Sequence, residues 1–127
     1  MQNLSKIFLY DLFLYLHSTF FVLLDEPNYK VKRIVVNPYE RFSLQYHKHR
    51  EEHWVVVEGD GIVQVNEKEY PAYVRTHWVI LPTQKHRATA GPNGLVFIET
   101  QTGDCREEDI VRLEDDYGRL DSSKVSV

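Results

Sequence analysis

The chain has 127 residues, 43% of them hydrophobic and 27% charged, and a net charge of −4. That length holds one domain with an ordinary core, and the negative balance excludes general nucleic-acid binding, which needs a basic face. The lone Cys105 excludes an internal disulfide and any cysteine-rich metal site, so a bound ion would rest on nitrogen and oxygen.

Taken in order, the chain opens with two apolar runs, Ile7-Phe-Leu-Tyr-Asp-Leu-Phe-Leu-Tyr-Leu16 and Phe20-Phe-Val-Leu-Leu24. Asp11 and His17 interrupt them and no small-residue cleavage site follows. A leader and a membrane span are therefore not expected, and the protein is expected in the cytoplasm with no membrane partner. Residues 5–16 read as a short helix or a strand, and the apolar start as cover for a barrel or as a dimer contact. Asp25-Glu-Pro-Asn28 is a turn, and Tyr29–Val36 a strand ended by Asn37-Pro38.

Phe42–His49 and His53–Glu58 read as the next strands, the second closed by Gly59 and Gly61. Ile62–Val65 and Glu69–Val74 flank Asn66-Glu-Lys68 as a hairpin. His77–Leu81 and Leu95–Gln101 follow, separated by Pro82-Thr-Gln-Lys-His-Arg87 and Gly91-Pro-Asn-Gly94. Asp109–Leu113 reads as a helix or an extended arm. Short strands with turn signals between them predict an antiparallel all-β sandwich or barrel.

Within this pattern, Gln45-Tyr-His-Lys-His-Arg-Glu-Glu-His-Trp54 gathers three histidines and two glutamates. On a strand His47 and His49 share a face, with Lys48 opposed, and two imidazoles so placed suit one metal ion. His86 supplies a further imidazole downstream.

Ser43-Leu-Gln-Tyr-His-Lys-His-Arg-Glu-Glu-His-Trp-Val-Val-Val-Glu-Gly59 resembles the first signature of the cupins. More narrowly, it is similar to the isomerase domain of type II mannose-6-phosphate isomerases, often fused behind a mannose-1-phosphate guanylyltransferase. Tyr29–Val36, Gln101-Thr-Gly-Asp104 and Ile110–Arg119 match the flanking segments of that family. Departures stand beside the match: Pro38-Tyr39-Glu40 replaces a Pro-Gly-Glu turn, and Arg75 and Thr83 stand at glycine positions. Leu81 and Ala90 replace a proline and an asparagine.

The resemblance implies a double-stranded β-helix, or jelly roll, with a short N-terminal element and a C-terminal arm or helix. A single domain is expected, its barrel over about residues 29–104, with an apolar extension 1–28 and an acidic segment 105–127. One divalent ion, zinc first and manganese, iron, cobalt or nickel as options, would sit on His47, His49, Glu52 and His86. Glu52 and His53 are adjacent and face opposite ways on a strand, so one of them joins the ion; the reading takes Glu52 and keeps His53 as the alternative.

The implied activity is a metal-dependent interconversion of mannose 6-phosphate and fructose 6-phosphate through an enediolate, in a homodimer. His53 and Arg50 are its catalytic candidates, one to carry the proton and one to hold phosphate. Gln45, Arg33 and Arg87 are candidates for binding the sugar phosphate. The rival readings are a non-catalytic cupin that binds a metal or a sugar beside a separate mannose-1-phosphate guanylyltransferase, and a metal-dependent cupin oxygenase. Lys30 and Lys32 read as solvated, Trp54 and Trp78 as packing aromatics, Asp115 and Asp116 as a solvated tail, and Cys105 as inert.

Overall fold

The computed structural model of the protein describes residues 18–118. The expected element at residues 5–16 lies outside them. Eight strands follow in order: β1 Ser18–Asp25, β2 Tyr29–Val36, β3 Leu44–Tyr46, β4 Arg50–Val65, β5 Lys68–Tyr73, β6 His77–Ile80, β7 His86–Gly103 and β8 Val111–Glu114. All pair antiparallel, and among the described residues there is no helix. The C-terminal segment is thus the extended arm rather than the helix, and β1 already belongs to the sheet where the sequence suggested an extension.

The two long strands build both layers. The first half of β4 lies between β6 and the second half of β7, and β7 continues outward to β2 and β1. Beyond Gly59 and Gly61, the second half of β4 lies between β5 and the first half of β7, which leads through Gln45 of β3 to β8. A strand passes from one layer to the other only if it bends, and the register of β4 against β7 slips at Val56/Glu58 and Gly59/Gly61. Gly59 is required there: its φ is +78° and a Cβ would lie 2.1 Å from the Gly94 carbonyl oxygen. Gly91–Gly94, expected to separate two strands, instead lies inside β7 opposite the register slip at Gly59/Gly61.

Alternation then sorts the side chains. Trp54 and Val56 of β4, Ile80 of β6, Leu95 and Phe97 of β7 and Val36 of β2 meet Val63, Ala72, Ala88 and Ala90 of the facing layer in the core. The opposite face carries His53, Val55 and Val57, which are exposed. The hairpin forms as expected, Val65 pairing with Lys68 across a turn with Asn66 at φ +54°.

Candidate metal centre

The site forms at one end of the barrel, where three stretches converge. Glu52 points inward from β4, His86 opens β7 beside Gln45 of β3, and His47 follows the end of β3. Their side chains are almost wholly buried, and one ligand atom from each lies within 4.8 Å of the others. His47 Nε2 is 3.2 Å from Glu52 Oε2, and His86 Nε2 is 3.5 Å from Glu52 Oε1.

The tautomers follow from the outer ring nitrogens. His47 Nδ1 faces the Asp109 carbonyl, and His86 Nδ1 lies 2.9 Å from the Gln84 carbonyl. A carbonyl only accepts, so each Nδ1 carries the proton and each Nε2 presents its lone pair to the interior. This backing of a ligand imidazole by a carbonyl is the usual support of a metal-binding histidine. Burial lowers both imidazoles, His47 to about 3 with help from the Arg50 charge, and His86 to about 4. Both are therefore neutral near pH 7, as ligation requires. His86 Nε2 is buried and has no hydrogen-bond partner. Two neutral imidazoles and a carboxylate, with one nitrogen left open, are a donor set that fits a divalent transition ion.

Arg50 sits in the same space. Its Nε donates to Glu52 Oε2 at 2.8 Å and its Nη2 lies 3.0 Å from His47 Nε2. Trp54 Nε1 donates to both Glu52 Oε1 (3.1 Å) and Glu99 Oε1 (3.0 Å), while Gln101 Nε2 donates to Glu99 Oε2 at 2.7 Å. Burial, with Glu52 alongside, raises the Glu99 carboxyl above its ordinary range. Next to this cluster lies a cavity of about 180 Å³, lined by Phe42, Trp54 and Phe97 on its apolar side and by Gln45, Lys32, Arg50, Glu99, Glu107 and Arg112 on its polar side.

Several expectations change with this geometry. His49 does not join the cluster: β3 ends at Tyr46, the chain bends through Lys48 and His49, and alternation no longer applies. Its side chain is 59% exposed, with Nδ1 3.6 Å from Asp109 Oδ1. His53 faces outward from β4 and pairs with Glu51 at 2.7 Å, whereas Glu52 faces inward beside His47 and His86. Arg33 likewise points out of β2, over the Phe21 ring and 3.9 Å from Glu58. Arg87 is buried but turned from the cavity, donating through Nε to the Phe42 carbonyl at 2.9 Å and to Glu114 at 3.2 Å. Gln45 lines the cavity as expected, 3.4 Å from His47 Nε2 and accepting from Ser43 Oγ.

The sequence reading missed Lys32, Glu99, Gln101, Glu107 and Arg112. Lys32, taken as solvated, is 3% exposed; it pairs with Glu107 and lies 4.0 Å from the Phe20 ring centroid. A signal existed: Lys32 alternates with Ile34 and Val36, and Glu99 and Gln101 with Phe97, so inward aromatic and aliphatic residues mark the face they share. Asp116 is no free tail residue either, since Arg41 Nε and Nη2 hold it at 2.7 and 2.8 Å.

Comparison with known proteins fits this architecture. The chain is 37% identical to a mannose-1-phosphate guanylyltransferase of Klebsiella pneumoniae over 101 residues, 77% of this chain and 21% of that protein. It is 43% identical to the alginate biosynthesis protein AlgA of Pseudomonas aeruginosa over 93 residues, 72% of this chain and 19% of that one. The chain thus spans about a fifth of the length of the curated relatives it matches. These names correct the expected activity: curated relatives from Klebsiella pneumoniae, Escherichia coli and Salmonella typhimurium are named mannose-1-phosphate guanylyltransferase, not mannose-6-phosphate isomerase.

Among solved structures, a double-stranded β-helix protein of Klebsiella pneumoniae superimposes with a TM-score of 0.69 at 18% identity, over 78% of this chain and 86% of that one. An RmlC-like cupin from Shewanella frigidimarina gives 0.65 at 21%, over 72% and 79%. Both share the fold of this chain, which is the cupin barrel. The family described as mannose-6-phosphate isomerase C-terminal matches residues 17–115, and with relatives of this identity over most of its length the chain belongs to that family.

Proposed function

We propose that this protein is a non-catalytic cupin that binds a divalent metal ion and a small sugar-like ligand beside a separate mannose-1-phosphate guanylyltransferase, in polysaccharide biosynthesis. The observation that carries the reading is the convergence of His47 Nε2, His86 Nε2 and a Glu52 oxygen beside a cavity lined by Gln45, Arg50 and Trp54, which touch those ligands. Zinc is the first ion to test, because imidazole with a carboxylate suits it. Bound there, it would supply a positive centre able to polarise an oxygen of the ligand.

The chain's own residues do the rest. Phe42, Trp54 and Phe97 offer apolar walls to the face of a ring, while Gln45, Arg112 and Lys32 offer donors to its oxygens. His53, the side chain that would have moved a proton, is outside the cavity, and this favours binding over catalysis. The polysaccharide setting rests on the relatives' names, alginate and xanthan biosynthesis among them. Such a partner makes a nucleotide sugar from a nucleoside triphosphate, and on this reading the protein works in the cytoplasm.

A homodimer belongs to the same reading. Val55, Val57 and Val79 are 45%, 40% and 48% exposed on one outer sheet face, an apolar patch suited to a second copy.

Zinc titration of the metal-free protein, together with capture from a lysate containing the guanylyltransferase, tests the proposal. It predicts a zinc-binding protein that retains that enzyme and leaves mannose 6-phosphate unchanged. Turnover of mannose 6-phosphate, or the absence of both zinc and enzyme, would overturn it.

A further inference from the structure

We propose that Arg50 is a built-in rival of the metal ion: its guanidinium holds the ligand atoms of His47 and Glu52, and an ion loads only when that side chain withdraws into the adjoining cavity. The inference rests on the reading of His47, Glu52 and His86 as an ion site.

A count of lone pairs carries the argument. A neutral imidazole has one acceptor nitrogen, and at His47 the Asp109 carbonyl fixes it as Nε2. Arg50 Nη2, which can only donate, lies 3.0 Å from that atom. The same lone pair cannot hold an arginine N–H and a metal ion together. At Glu52 the arginine takes one lone pair of Oε2 through Nε at 2.8 Å, and so sets its charge on the oxygen that also lies nearest His47. Two of the three ligand atoms are thus bound by a cation already covalently attached to the chain. Like charges a few ångströms apart in a buried site would repel strongly, so the guanidinium cannot stay in place beside the ion.

The third ligand, His86 Nε2, is left free by the arginine and gives an incoming ion its first hold. The arginine also has somewhere to go. It is 5% exposed, its Nη1 has no hydrogen-bond partner, and its side chain lines the cavity that Glu99 and Glu107 share. Those two acids can receive a charged guanidinium released from Glu52. Metal-free and loaded forms therefore differ by the exchange of one buried cation for another, which keeps Glu52 paired in both.

Calorimetric titration of the full-length chain with zinc chloride tests this on wild type and on Arg50→Met, which keeps the bulk and removes the donors. Removing two charge-assisted bonds that zinc must break predicts binding at least about tenfold tighter in the variant. Equal or weaker binding in a folded Arg50→Met protein would overturn the rivalry and leave the ion site standing. Zinc binding by neither protein would overturn the ion site, and the rivalry with it. Should Arg50→Met fail to fold, the Arg50 Nε–H proton of wild type decides by NMR. The proposal predicts that its resonance moves and exchanges faster with water as zinc is added, and an unmoved resonance in zinc-bound protein would overturn it.

Discussion

At the scale of single residues, the centre is defined by which nitrogen carries a proton. His47 and His86 keep Nε2 bare because backbone carbonyls claim Nδ1, and burial keeps both rings neutral. Two predictions belong here. His86→Ala should weaken zinc binding on the order of a hundredfold or more, whereas His49→Ala should leave it within about twofold, because His49 touches Asp109 and no ligand; titration of both variants checks the contrast.

The second concerns acid. Each imidazole's folded value, about 3 for His47 and about 4 for His86, is below its unfolded value of 6.5, so the unfolded chain binds more protons below that point. Stability present above pH 6.5 is lost as pH falls toward 4. Glu99, raised by burial, pulls the other way, since its ionisation costs stability as pH rises above its ordinary value of 4.5. The two histidines contribute a loss on the order of a few kcal/mol in the metal-free protein between pH 6.5 and 4, and Glu99 offsets part of it. Urea unfolding across that range measures it, and a flat profile would contradict the neutral-imidazole account.

At the scale of elements, two irregular loops hold the site. Asp109, in the segment before β8, accepts hydrogen bonds from the backbone amides of Lys48 (3.1 Å) and His49 (3.0 Å), clamping the bend that carries His47. Asp109→Ala should cost about 1–3 kcal/mol of stability and weaken zinc binding about tenfold, read by thermal unfolding and titration. The loop before β7 has Thr83 at φ +72°, with its amide donating to the His47 carbonyl at 2.7 Å. A β-branched residue is strained in that region, so Thr83→Gly should stabilise the protein by up to about 1 kcal/mol and raise its melting midpoint.

The same loops show what the sequence made legible. Thr83 and Arg75 were recognisable as replacements for glycine, and both do adopt positive φ, +72° and +80°. His47, Glu52 and His86 were legible as ligand types. The fate of His49 was not, because alternation holds only while a strand continues and β3 is three residues long. Nor was Arg50's place among the ligands legible. Arg50 begins β4 just after a bend that Asp109, about 60 positions away in sequence, clamps through the Lys48 and His49 amides.

At the scale of the whole molecule, the fold reduces to two long strands that each serve both layers, and glycine at the bend of β4 allows it. Gly59→Ala would drive a Cβ to 2.1 Å from the Gly94 carbonyl at a φ of +78°, a cost on the order of 3 kcal/mol or more that circular dichroism melts would register. The all-β barrel was readable from strand spacing and turn residues because those signals are local. Which strand halves pair, and therefore which inward polar residues meet, depends on bends distant in sequence.

The account stands on one internal cluster, and metal content per chain tests it most directly. Protein purified without a histidine tag, loaded with zinc and dialysed, should retain about one zinc ion per chain by elemental analysis, and the folded Glu52→Gln variant should retain almost none. Equal zinc in both proteins, or none in the wild type, would contradict it.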